Sequence, residues 1–124
     1  SQYRKKVYKT TKKLKKLISE LKRKKKKISG YGAAAKGMTI IKSSGIGKKH
    51  IDYFVDDSPA KQGLYTAGDK IPIISRAQAN KKLPDYFIIL APNYAKFIIQ
   101  KEKKFIEEGG RFIVPVGDIQ VIGK

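Results

Sequence analysis

Gly30, Tyr31, Gly32 and Lys36 come closest to a binding chemistry in this sequence. They lie in the stretch Ile28-Ser29-Gly30-Tyr31-Gly32-Ala33-Ala34-Ala35-Lys36-Gly37-Met38-Thr39. The stretch reads as the end of a strand, a glycine turn and the first turns of a helix. Glycines let the backbone adopt conformations closed to other residues and let another group approach closely. A helix that starts at such a turn presents free N–H groups and the positive end of its dipole, a setting that suits phosphate or carboxylate. Lys36 adds a full positive charge there. The spacing is neither G-x-G-x-x-G nor G-x-x-x-x-G-K-[ST], so a tight turn that binds nothing explains these residues as simply. Asp56 follows Gly32 by 24 residues, about where a βαβ unit places the acid that contacts a ribose. The plainer account of Asp56-Asp57-Ser58-Pro59 is a turn whose acids cap and solvate. His50, the one histidine, has no second ligand type beside it and is expected to be a loop residue, neither metal ligand nor catalytic base. No nucleophile with a base, metal-ligand cluster or spaced carboxylate pair stands out. The residues describe a place that holds a ligand without visible chemistry.

The elements that must position this turn alternate in type. Apolar residues at 7, 14, 17, 18 and 21 predict a helix over about Val7–Lys25, with a narrow core stripe and a lysine back. The helix after the glycine turn is predicted from Ala33 to Ser43 or Ser44, ending at Gly45 or Gly47. Ile51–Asp56 reads as a strand, residues 60–70 as a loop, and Ile71–Ile74 as a short strand near an edge because Pro72 cannot donate to a ladder. Ser75 is placed as the N-cap of a helix over Arg76–Lys82. Tyr86–Ala91 is apolar without alternation, the pattern of a strand covered on both faces. A helix is predicted over about Tyr94–Glu108 with Phe97, Ile98, Phe105 and Ile106 inward, stopped by Gly109-Gly110. Arg111–Val116 and Ile119–Ile122 follow as strands. This order predicts an α/β fold, an open and mostly parallel sheet of about five strands with helices on both faces, preceded by a basic N-terminal helix. Residues 31–36, 56–63 and 91–94 are expected to converge at the carboxyl ends of its strands.

Length and charge set the frame. The chain has 124 residues and no cysteine, enough for one domain with a real core and excluding a disulfide framework or thiolate metal site. It starts with Ser1 and is read as a piece of a longer or processed chain. Residues 1–6 are read as a disordered or tag-proximal start and 7–124 as one domain, with 7–27 as its leading helix. The net charge is +19, of which residues 1–27 carry +13. Clustered lysine attracts polyanions, but arginine is scarce and base-edge readers are not evident, so nucleic acid is not the expected partner. No apolar run reaches the length of a membrane span and no signal peptide is visible. No membrane partner is expected, and the expected location is cytoplasmic.

Several blocks together resemble a known family. They are Gly30-Tyr31-Gly32-Ala33-Ala34-Ala35-Lys36-Gly37, Ile51-Asp52-Tyr53, Asp56-Asp57-Ser58-Pro59 with Lys61-Gln62-Gly63, Ile71-Pro72-Ile73, Asn93-Tyr94-Ala95 and Gly109-Gly110-Arg111-Phe112-Ile113-Val114-Pro115. In this order, over about residues 12–116, they resemble the C-terminal domain of the sugar (nucleotide-deoxysugar) C-methyltransferases. The resemblance implies a Rossmann-like domain of a tripartite enzyme of deoxysugar biosynthesis. Such an enzyme has a zinc-binding N-terminal domain and a central domain that carries S-adenosylmethionine and most catalytic groups. The C-terminal domain closes the cleft and helps hold the nucleotide-sugar. The sequence departs from the family's pattern at Lys42 and Ser43, at Pro92, and at Ala67 and Lys70, positions expected near the ligand face.

Carried onto this chain, the resemblance implies a nucleotide-sugar-binding lobe without a complete active site. Gly30, Gly32 and Lys36 are expected near phosphates, with Tyr31 in the same turn. Asp57, Lys61 and Gln62 are expected in the facing loop, and Asn93 and Tyr94 against sugar or base. No catalytic residue, no metal and no cofactor are expected in this domain, S-adenosylmethionine belonging to a separate one. The expected partners are a nucleotide-diphosphate sugar and other domains of the same parent chain. The alternative is a non-catalytic interaction module whose basic helix binds an acidic partner or polyanion.

Overall fold

A computed structural model describes residues 2–123. Its centre is strand β1 (Ile28–Tyr31), buried along its whole length. β1 pairs in parallel with β2 (Phe54–Val55) on one side and with β4 (Tyr86–Ile89) on the other. β3 (Ile73–Ile74) adds to β2, and β5 (Arg111–Val114) adds to β4, both in parallel. β6 (Gln120–Ile122) closes the far edge antiparallel to β5. The order is β3-β2-β1-β4-β5-β6, so the sheet has six strands where about five were expected. Only a short turn around Gly117 joins β5 to β6, too few residues for a crossover, which forces the antiparallel return.

Helices cover both faces, and strand alternation sorts the side chains between them. Tyr86, Ile88 and Leu90 join Ile28, Phe54 and Ile113 in a core beneath α1 (Gln2–Arg23) and α2 (Ala35–Ser43). Phe87 and Ile89 join Tyr31, Val55, Phe112 and Val114 in a second core under α3 (Arg76–Ala79), α4 (Ala95–Lys101) and α5 (Lys103–Glu107). The apolar run of β4 has no polar face because each face has its own core. Each such residue that leaves water contributes about 1.5–3 kcal/mol. The second core is aromatic, with Tyr31, Phe87, Phe105 and Phe112 rings at centroid distances from 5.0 to 5.9 Å.

Three helices end in the same way. The chain turns left-handed at Lys25, Gly45 and Gly109, with φ of 62°, 72° and 101°. The next amide then reaches back to the helix, as in Lys26 N–H to Leu21 O, Ile46 N–H to Ile41 O and Gly110 N–H to Phe105 O. This closes carbonyls that a helix end leaves open. Ser75 caps α3 through Gln78 N–H, and Gln78 returns a bond to the Ser75 amide, a full capping box.

Several predicted boundaries shift. α1 begins at Gln2, ahead of Val7, and ends at Arg23. β2 keeps two residues of the predicted Ile51–Asp56, and α3 ends at Ala79, short of Lys82. The helix predicted over Tyr94–Glu108 is three pieces: a 3-10 turn at Pro92–Tyr94, then α4 and α5, parted at Glu102. Glu102 leaves helical geometry, with φ of −101° and ψ of 28°, and its carboxylate is held by partners on other elements. Phe97, predicted inward, is 63 % exposed, because Ile98 and Phe105 already fill the space against the sheet.

Candidate functional site

β1, β2 and β3 step outward in one direction and β4 returns to lie against β1, so the strand order reverses between β1 and β4. Open α/β sheets bind ligands in the crevice outside the strand carboxyl ends at such a point. A cavity of about 280 Å³ lies there. Tyr31 and Gly32 enter it from the end of β1, Val55, Asp56 and Asp57 from β2, and Ala91 from β4. Tyr94, Phe97, Ile98 and Lys101 complete it from the 3-10 turn and α4. The convergence expected from sequence is therefore present.

The floor is fixed by a buried polar network. Tyr31 donates its hydroxyl to Glu102 Oε2 at 2.6 Å. Arg76 grips both oxygens of the same carboxylate, through Nε to Oε2 at 2.8 Å and through Nη2 to Oε1 at 3.0 Å. Burial alone raises the Glu102 pKa, but hydrogen bonds from Arg76 and Tyr31, with the Arg76 charge, outweigh it and hold the carboxyl below its usual value. Burial, then the Glu102 hydrogen bond, push the Tyr31 hydroxyl well above its ordinary range. Tyr31 is thus a neutral donor locked to the carboxylate.

The wall near the glycine turn is also internally satisfied. Gly32 has φ of 87°, and its amide donates to Val55 O. Asp56 Oδ2 accepts from Ala33 N–H at 2.9 Å, and Oδ1 accepts from Ser58 N–H at 2.8 Å. Lys61 Nζ lies 3.9 Å from Asp56 Oδ2 and donates to Ala33 O at 3.3 Å. Gln62 Nε2 donates to Asp56 O at 2.8 Å. Asp56 thus ties the β1 turn to the β2 turn, as the capping account expects, while also lining the cavity. At the mouth, Lys101 Nζ stands 3.5 Å from Asp57 Oδ2, and Tyr94 is 64 % exposed.

The residues expected at the site divide accordingly. Tyr31, Gly32, Asp57 and Tyr94 line the cavity together. Gly30 is buried within β1, and the space its missing side chain leaves is taken by the Phe54 ring and Leu90. Lys36 is exposed on α2, outside the lining. Lys61 and Gln62 brace the turn. Asn93 lines a neighbouring cavity of about 480 Å³ with Lys96, Val116 and Gln120, on the far side of the 3-10 turn. Phe97, Lys101, Arg76 and Glu102 were missed. Tyr94, Phe97 and Lys101 recur at three and four residues, a helical face that the sequence did carry.

The departures from the family's pattern do not meet at this cavity. Lys42 and Ala67 line a shallow cleft with Gly45, Gly47 and Asp69 that shares no residue with it. His50 sits beside that cleft, accepting from Gly47 N–H through Nδ1. Burial and the charges of Lys15 and Lys22 lower its pKa. Among the described residues no group of three or more His, Asp or Glu could hold a metal ion, and no helix is long and apolar enough to cross a membrane.

Fold and cavity together define an open α/β domain with a crevice at its switch point. The profile of the family described as C-methyltransferase C-terminal domain matches residues 1–117, and the chain belongs to that family. Over 97 residues it is 45 % identical to the C-methyltransferase NovU of Streptomyces niveus. The match takes in 78 % of this chain and 23 % of the relative, so the chain spans less than a quarter of that protein's length.

Proposed function

We propose that this domain is the nucleotide-sugar-holding lobe of a sugar C-methyltransferase acting in deoxysugar biosynthesis, cytoplasmic and non-catalytic by itself. The observation that carries the proposal is the cavity at the switch point, braced by Glu102 and rimmed by aromatic and charged side chains. It supports binding, with Tyr31 locked to Glu102 and Asp56 bracing the turns through two amides. In this reading the methyl donor, S-adenosylmethionine, is held by another domain of the parent chain.

A second reading rests on α1. Lys5, Lys9, Lys12 and Lys16 are all exposed. At spacings of four, three and four they share one helix face, opposite Leu14, Ile18 and Leu21. That stripe suits an acidic partner or polyanion. Thermal unfolding separates the two readings. A ligand at about 100 times its dissociation constant adds roughly 2.7 kcal/mol, several degrees in a domain of this size. A panel of nucleotide-diphosphate sugars is expected to raise the midpoint, the shift surviving moderate salt, while S-adenosylmethionine does not. A shift with short DNA alone, abolished by salt, assigns the domain to the basic helix instead. With S-adenosylmethionine and a nucleotide-sugar supplied together, the chain alone is expected to form no methylated product.

A further inference from the structure

The cavity presents two aromatic side chains at its mouth but offers little to an anion. The amides of its glycine turn are already bonded, Gly32 N–H to Val55 O and Ala33 N–H to Asp56. A phosphate drawn to that turn meets the Asp56 carboxylate first. Lys61 is turned onto Asp56 and Ala33 O. One cation lines the cavity among the described residues, Lys101. Its ammonium faces Asp57 at 3.5 Å, with side chains 44 % and 76 % exposed. An exposed pair of this kind contributes about 0–1 kcal/mol, so exchanging it for a stronger anion costs little. Tyr94 and Phe97 lie on the same helical face as Lys101, one to two turns before it, and give a flat group somewhere to stack.

We propose that Lys101 is the phosphate-binding residue of this cavity, and that Asp57 holds the ammonium at the mouth until a diphosphate displaces the carboxylate. The identity of that diphosphate rests on the nucleotide-sugar reading above. The exchange makes Asp57 an internal competitor. It keeps Lys101 oriented in the empty site and weakens every phosphate ligand by the same factor.

The test is titration of the full chain with three probes: inorganic pyrophosphate, uridine diphosphate and a uridine-diphosphate hexose. Lys101→Met is expected to weaken all three about tenfold, the worth of one charge-assisted hydrogen bond. Asp57→Asn is expected to tighten all three several-fold. Lys96→Met removes the same charge from the same helix but lines the neighbouring cavity, and is expected to change none of them. Equal losses in Lys101→Met and Lys96→Met reduce the effect to overall charge and overturn the proposal. So does weaker binding in Asp57→Asn, or a wild-type chain that binds none of the probes. Binding of the hexose nucleotide that ignores Lys101→Met overturns the proposal and leaves the nucleotide-sugar reading standing. Lys101-dependent binding of pyrophosphate with no gain from nucleotide or sugar does the reverse.

Discussion

Glu102 is the residue on which the cavity floor depends, and it acts from the middle of what its sequence neighbours would make a continuous helix. Its side chain is 7 % exposed and is met by Arg76 and Tyr31. Removing one partner of a largely buried pair leaves the other charge stranded. Glu102→Gln is therefore expected to cost about 2 kcal/mol, the neutral amide keeping some of the hydrogen bonding. The pH dependence follows from the direction of the shift. The folded-state pKa lies below the ordinary glutamate value near 4.5. The stabilisation is thus complete above the unfolded value and is lost as pH falls through the lower folded one. The difference in melting midpoint between the wild type and Glu102→Gln is expected to be constant well above the ordinary glutamate value and to close as pH falls through the lower folded-state value. A difference that persists unchanged into acid contradicts the assignment. This network was not legible in the sequence, because its members lie 71 and 26 residues from Glu102 and only the fold brings them together. An isolated glutamate among lysines reads as a solvated i,i+4 partner. At Asp56 the sequence offered two roles, ribose contact and tying two turns together, and the structure shows the second.

At the scale of elements, punctuation carried most of the information. Gly45 and Gly109-Gly110 marked the ends of α2 and α5 because a left-handed terminus favours glycine. α1 ends in the same geometry at Lys25, with φ of 62°, and a lysine there carries no such signal. An L-residue in that conformation costs about 1 kcal/mol or somewhat more. Lys25→Gly is accordingly expected to stabilise the domain by about 0.5–1 kcal/mol, after the extra freedom glycine gives the unfolded chain. A rise of a few degrees in the calorimetric midpoint checks it, and an unchanged or lower midpoint shows that the α1 terminus does not limit stability. The unbroken apolar run Tyr86–Leu90 announced a doubly covered strand, since no solvent face was available to it. Phe97 was placed inward by residue type alone. Apolar type does not distinguish a core side chain from one at a cavity mouth, and the spacing of Tyr94, Phe97 and Lys101 was the better guide.

At the scale of the molecule, the alternation of strand and helix was enough to define the sheet and its switch point. Parallel strands joined by crossovers leave few other arrangements. The candidate site was half legible. Its location followed from topology, and Tyr31, Gly32, Asp57 and Tyr94 meet there. Which residues face the cavity depended on how each turn satisfies its own amides, and local spacing does not encode that. Gly37 illustrates the same point. Any side chain there would strike the Leu90 backbone, so the third glycine of the turn serves the close approach of α2 to β4. The central claim is that the crevice between β1 and β4, and not the lysine face of α1, is the ligand surface. Amide chemical-shift mapping of the chain titrated with a nucleotide-diphosphate sugar tests it most directly. The predicted result is saturable movement of the Gly32, Asp57, Tyr94, Phe97 and Lys101 signals, with those of Lys5, Lys9, Lys12 and Lys16 unmoved. Movement confined to α1, fading as salt is raised, would contradict it.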